Sequence, residues 1–309
     1  MNSKRNGLLE IYRFIFCFWP LYFHNFFFVQ SDSVRFTVAE LAVDFFFMLS
    51  GFFLMHAIQR IECKSIFRGM MKLMFGRIKP MLFTICFITV FNLICMALFI
   101  REDYMNVLHY VFRYWWFVLG LMIAVGLFYL VYRLLKSEKL FVAFLIFVVV
   151  AAACFHYAVN VKGLLHHNVI YFTRTYGCIS FGILISKITK IKVKDFNIAI
   201  PIVVLLVPTL FYLAYREKNF FICLVMIALF GMLIYFSSNI PVYGKIYDLI
   251  GRLSVKIYLY MPFLTMLYVL GLTNNRILFL IDIALAVMNT VLEYYRDKYL
   301  SLKSKITAE

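Results

Sequence analysis

Two residues of the first apolar stretch, Arg13 and His24, are of types that a membrane interior does not accept cheaply. An ionisable group inside a span costs roughly 2.5 to 3.5 kcal/mol on insertion scales, so its retention points to a pathway or to catalysis. The two are eleven residues apart, about 1100° of helical rotation and within about 20° of three full turns, which predicts one shared helix face and a separation of roughly 16 Å. The second apolar stretch brings Glu40 and Asp44 to the same expected depth as His24. On adjacent antiparallel helices, a carboxylate there reaches the imidazole, fixes its tautomer and raises its basicity, which makes a general base and its orienter. The plainer alternative stays open: an interfacial histidine that reaches water, and an aspartate capping a helix start, where its charge suits the dipole.

A second group of charges lies in RIECKSIFRGMMKLMFGRIKP, residues 60–80. It reads either as a basic anchor with an amphipathic helix on anionic lipid, or as a phosphate-binding rim in which Arg77 and Lys79 enter the third span. The rim suits a nucleotide-bearing cytosolic substrate. His56 reads as an interfacial histidine, His109, His166 and His167 fall in loops or at span edges, and His156 lies within the fifth span. None shows metal-ligand spacing, so no metal is expected. Pro20 removes a backbone bond four residues before His24 and predicts a bend there. Ser50 and Gly51 predict close helix packing, and Asp282, Asn289 and Glu293 read as interhelical hydrogen-bonding groups of the last span.

The elements that must carry these residues follow from composition. The 309 residues are 64% hydrophobic and 19% aromatic but only 15% charged. Soluble chains average about 45 to 50% apolar and about 25% charged, so the solvent implied is lipid. With 36 Phe against 6 Pro and 13 Gly, the chain favours membrane helices over the short alternating segments of a barrel. A net charge of +16 suggests nucleic acid in a soluble protein, but here the charges sit between apolar runs, as in loops that orient a membrane protein, and no nucleic-acid partner is expected. The seven cysteines show no C-x-x-C pair and read as buried hydrophobes.

Ten windows are long enough to cross about 30 Å of hydrocarbon: 8–28, 39–58, 80–100, 114–132, 140–159, 168–186, 197–214, 219–236, 254–271 and 277–295. With the N-terminus inside, 22 of the 31 basic residues fall on the inner side and eight outside. The expectation is therefore an all-α polytopic protein of about ten transmembrane helices with both termini cytoplasmic, in one membrane domain over residues 1–309 with no appended soluble domain.

Taken in order, NGLLEIYRFIFCFWPLYFH, VDFFFMLSGFFLM, FGRIKP, WWFVLGLM, FTRTYGCISFGILISK and LIGRLSVKIYLYMPF resemble the segments of the integral-membrane acyltransferase-3 family, the O-antigen and exopolysaccharide acetylases. The resemblance covers roughly residues 7 to 300. It implies transfer of an acyl group, usually acetyl from cytosolic acetyl-CoA, to a hydroxyl of a cell-surface glycan or lipid-linked sugar, by a protein of the bacterial inner membrane. It assigns Arg13 and His24 to the family's paired Arg and His, Asp44 to the Asp before its double Phe, Arg77 to its basic entry and Arg174 to the Arg of its sixth helix. Trp116 takes the place of an active-site-lining aromatic, where composition alone reads an interfacial belt. Met261 stands where the ninth helix of the family commonly has His.

On that resemblance, the CoA phosphates rest on Arg13, Arg77 and Lys79, and the pantetheine arm reaches His24. His24 then acts as general base, or as an acyl-carrying nucleophile, with Arg174, Ser50 or a tyrosine as candidate oxyanion donor. The partners implied are the glycan acceptor and membrane lipid, and a homodimer is left open. The competing reading is a proton-coupled transporter or flippase for a glycan or organic anion, whose path Arg13, His24 and Asp44 would line. A glycan polymerase is disfavoured by the short outer loops.

Overall fold

The carboxamide oxygen of Asn6 accepts the backbone N–H groups of Leu8 (3.1 Å) and Leu9 (3.3 Å), satisfying two of the donors a helix start leaves open. From that cap runs α1, Gly7–Phe26, in the computed structural model of the protein. The structure describes residues 6–26, 34–61, 63, 65–99, 104–160, 168–188, 220–240, 242–272 and 274–306. After α1 follow α2 (Val34–Gln59), α3 (Ile66–Phe99), α4 (Tyr104–Leu135), α5 (Glu138–Asn160), α6 (Asn168–Ile188), α7 (Phe220–Ser238), α8 (Lys245–Val269) and α9 (Asn275–Ile306). No strand occurs among the described residues.

Nine of the ten expected windows fall on these helices, and the window 197–214 lies outside the described residues. Among the described residues, four stretches are long and apolar enough to cross a membrane alone: Leu41–Gln59, Trp116–Leu135, Glu138–Tyr157 and Arg276–Arg296. A fifth counts if Ile66–Lys79 and Met81–Cys95 of α3 act together across Pro80, where the ring removes a backbone donor. Several of the other helices carry charge within their apolar runs, such as Glu10 and Arg13 in α1, Arg174 in α6 and Lys256 in α8.

The chain divides into two compact units. One comprises Met1–Gln30, Phe83–Val111 and Val242–Glu309, and so holds α1, the later part of α3, α8 and α9. In it α1 packs mainly along α8, and its first residue is tied there: Gly7 N–H donates to Val242 O at 2.7 Å, and a Cβ at Gly7 would meet the Tyr247 ring.

The other unit, Ser31–Leu82 and Phe112–Pro241, is built on α2 and α6. Their backbones touch. A Cβ on Gly51 would lie 2.1 Å from Ile179 O, and one on Gly182 would lie 1.9 Å from Met48 O, so only glycine fits at either crossing. Direction follows from two wider-spaced contacts, Asp44 with Arg174 and Phe52 with Gly182, which pair low numbers with low and high with high, so α2 and α6 run parallel. This is the small-residue packing expected at Gly51, with Gly182 supplying its counterpart. α5 runs antiparallel to α6: a Cβ on Gly177 would meet Ala152, and Lys187 Nζ bonds Glu138 Oε1 at 2.7 Å. The neighbours of α2 cover most of its apolar stretch, whereas α5 turns Leu140, Phe147 and Val150 outward, as a lipid-facing helix does.

Candidate functional site

In the unit built on α2 and α6, the buried Asp44 of α2 meets Arg174 of α6. Arg174 Nε donates to Asp44 Oδ1 at 3.1 Å and its Nη2 to Oδ2 at 2.6 Å. This fork-on-fork geometry is the strongest form of carboxylate recognition, and it holds the carboxylate in one orientation. The parallel register of α2 and α6 sets the pair, because the Gly182–Phe52 contact, eight residues farther along both helices, brings position 44 level with position 174.

A third ionisable group joins them. Starting from the Gly177–Ala152 contact, one turn back along α6 leads to Arg174 and one turn forward along the antiparallel α5 leads to His156. The half-buried imidazole stands where the charges of both Arg174 and Asp44 act on it. The other face of the cluster is aromatic. Phe47, one turn beyond Asp44, packs its ring 5.8 Å from Trp116 and 4.6 Å from Phe117 of α4. A Cβ on Gly120, one turn beyond Trp116, would lie 3.5 Å from Thr175, the neighbour of Arg174. Of the residues expected from the sequence, this unit therefore brings together Asp44 and Arg174 and sets Trp116 close by. Ser50 is half-buried farther along α2.

His156 was missed as a site residue because within one apolar run it looks like any isolated histidine. The signal lay in the pairing of two neighbouring helices: antiparallel with Gly177 on Ala152, α5 and α6 lay 156 level with 173, beside Arg174.

In the other unit, Arg13 Nη1 donates to Glu10 Oε2 at 2.7 Å. Glu10 is itself buried, its carboxylate lying where a Cβ on Gly251 of α8 would have to go. The guanidinium thus has an internal counter-charge one turn away, a partner the spacing of Glu10 and Arg13 could have revealed. His24 falls in the last turn of α1, within the same unbroken helix as Arg13 despite Pro20 between them. Its side chain lies outside the described residues, as does that of Glu40, and so the expected meeting of His24 with Asp44 lies outside them too. Arg77 is half-exposed and Lys79 exposed in the first part of α3. His56 Nδ1 lies 3.1 Å from Phe52 O on its own helix. Met261 is buried.

α8 and α9 share a buried polar network with α3. Lys256 Nζ bonds Glu293 Oε1 at 2.5 Å and donates to Thr84 Oγ1 at 3.0 Å. Asn289 Nδ2 donates to Thr84 Oγ1 at 3.0 Å and to Tyr260 Oη at 2.9 Å. Asn289 and Glu293 are thus the interhelical groups expected of the last helix. Asp282 departs from that expectation: it is fully buried, and neither carboxyl oxygen has a hydrogen-bond partner among the described residues. Those residues also contain no group of His, Cys, Asp and Glu that could hold a metal.

Helices apolar enough to span, an outward lipid-like face and buried charge pairs between helices define a polytopic membrane protein. A family profile described as an acyltransferase domain matches residues 7–294, nearly the whole chain, and the protein belongs to the acyltransferase-3 family. It is a membrane acyltransferase. Comparison with curated proteins and with solved structures returns no match.

Proposed function

We propose that the protein is an O-acyltransferase of the bacterial inner membrane that moves an acetyl group from cytosolic acetyl-CoA to a hydroxyl of a cell-surface glycan or lipid-linked sugar. The observation that carries this reading is the single helix α1, which holds Arg13 and, eleven residues on, His24 in a chain of a family that transfers acyl groups. At about 1.5 Å per residue, that helix spans the length between a phosphate anchor and a reacting centre. In this reading Arg13, Arg77 and Lys79 bind the CoA phosphates, which compete with Glu10 for Arg13. The positive-inside distribution of 22 of 31 basic residues supports ten spans with cytoplasmic termini and a donor arriving from the cytoplasm.

The acceptor oxygen attacks the thioester carbonyl carbon while His24 takes the hydroxyl proton. The tetrahedral intermediate collapses, the C–S bond breaks, and the imidazolium returns the proton to the departing thiolate, leaving an ester and free CoA thiol. Asp44 supplies the site's fixed carboxylate, and Arg174 or Ser50 a donor toward the carbonyl oxygen, with Trp116 lining the site.

The test is calorimetry of the purified protein in detergent with acetyl-CoA, together with base-labile acetate on the glycan of cells carrying His24→Ala. Binding of acetyl-CoA and loss of glycan acetate, with the variant still folded, are expected. Absence of binding at millimolar ligand would move the protein to the proton-coupled transporter.

A further inference from the structure

We propose that Asp282 binds an amide of the donor's pantetheine arm, a contact that rests on the acyl-CoA reading above. The starting point is a carboxyl group with 0% of its surface exposed and both oxygens without a hydrogen-bond partner among the described residues. In a membrane domain no bulk water stands by to satisfy such a group, and leaving it unmet costs several kcal/mol. The same helix shows the alternative: seven and eleven residues on, Asn289 and Glu293 lie on the same helix face and are both hydrogen-bonded to neighbouring helices. Asp282 alone of the three is left open.

Its position supplies the ligand. Phe18 of α1 and Phe279 of α9 meet with ring centroids 6.3 Å apart, which sets the register of the two helices. Phe279 lies one turn before Asp282, and the charges of both the Asp282 carboxylate and the Arg13 guanidinium act on the Cys17 sulfur. Cys17 follows Arg13 by four residues and precedes His24 by seven, on the same face of α1. Asp282 therefore stands about 6 Å along the helix from the proposed phosphate anchor and about 10 Å short of the proposed reacting centre. An acyl-CoA laid along this face has phosphates at one end, a thioester at the other and two amides between. An amide N–H is the donor a buried carboxylate lacks. α1 packs far less extensively on α9 than on α8, so the seam that must part to admit the arm is the weaker one.

The experiment compares two ligands on the purified full chain in detergent by calorimetry: CoA, which carries the arm, and adenosine 3′,5′-bisphosphate, which carries phosphates without it. In Asp282→Ala the CoA affinity is expected to fall about tenfold, as for one lost hydrogen bond to a charged group, while the bisphosphate affinity stays put. Asp282→Asn, which keeps an oxygen acceptor and the side-chain volume, should recover part of the loss and serves if the alanine variant does not fold. Equal weakening of both ligands would assign Asp282 to the fold and overturn the proposal, as would unchanged CoA affinity in both variants. If the unmodified protein binds neither ligand, the donor reading fails first and takes this one with it. Binding of CoA that ignores Asp282 defeats this proposal alone.

Discussion

Arg174 grips both carboxylate oxygens of Asp44 across 130 residues of sequence, with bonds of 3.1 and 2.6 Å in the buried seam between α2 and α6. An ion pair so placed contributes little net stability over well-packed apolar residues, yet breaking it strands a charge at a cost of about 3 to 5 kcal/mol. Asp44→Ala and Arg174→Ala should each lower the thermal unfolding temperature in detergent sharply. The double replacement Asp44→Leu with Arg174→Met should regain most of the loss in stability while remaining without transferase activity. Arg174→Lys should restore charge but not the fork, and fall between. Additive losses in the double variant would mean that the two side chains do not act as a pair.

His156 makes a different prediction because it is only half-buried and lies beside the pair rather than within it. His156→Phe should fold with nearly unchanged stability and keep its affinity for acetyl-CoA. Its rate of glycan acetylation should fall by about tenfold or more, the lower range of what a positioned imidazole contributes. A full rate in that variant would show that the imidazole merely neighbours the Asp44–Arg174 pair.

The α2–α6 contact is itself testable at its closest point. A methyl group at Gly182 has no room, since it would sit 1.9 Å from the Met48 carbonyl oxygen, a backbone atom that cannot swing aside. Gly182→Ala should therefore push the helices apart, at a cost above the usual 1 to 3 kcal/mol or so of overpacking, and disturb the Asp44–Arg174 register with it. Gly76→Ala, where nothing stands within 4 Å of the added methyl, is the control and should be silent or slightly stabilising. Equal melting temperatures for the two variants would remove the backbone contact as a determinant of the fold.

The helices were legible because lipid imposes a length and a composition that few other solvents do. Nine windows drawn from apolar runs alone lie on helices, from α1 at Gly7–Phe26 to α9 at Asn275–Ile306. Pairings between helices were less legible, for a physical reason: an apolar run states how long a helix is but not which neighbour it faces. Asp44 and Arg174 were each identifiable as costly residues, and only the parallel register set by the Gly182–Phe52 contact joins them. Two helices consecutive in the sequence are the exception, since consecutive elements are usually neighbours in space, and His156 beside Arg174 belongs to that class. Glu10, one turn from Arg13, was within reach of local spacing as well.

The buried network around Thr84 orders its variants by what each leaves unpaired. Thr84 Oγ1 accepts from both Lys256 and Asn289, yet each donor keeps a second partner: Glu293 for the lysine and Tyr260 for the asparagine. Thr84→Val should therefore cost only about 1 kcal/mol per lost bond, and Thr84→Ser should restore most of it. Lys256→Met is of another kind. It removes the only positive charge described on Glu293, a carboxylate with 15% of its side chain exposed, and should cost more than Thr84→Val unless Glu293→Met accompanies it. Melting temperatures in detergent should accordingly fall least for Thr84→Ser, then Thr84→Val, and most for Lys256→Met, with the Lys256–Glu293 double variant above the single. If Thr84→Val were the most damaging of the four, the hydroxyl rather than the ion pair would be what ties α8 and α9 to α3.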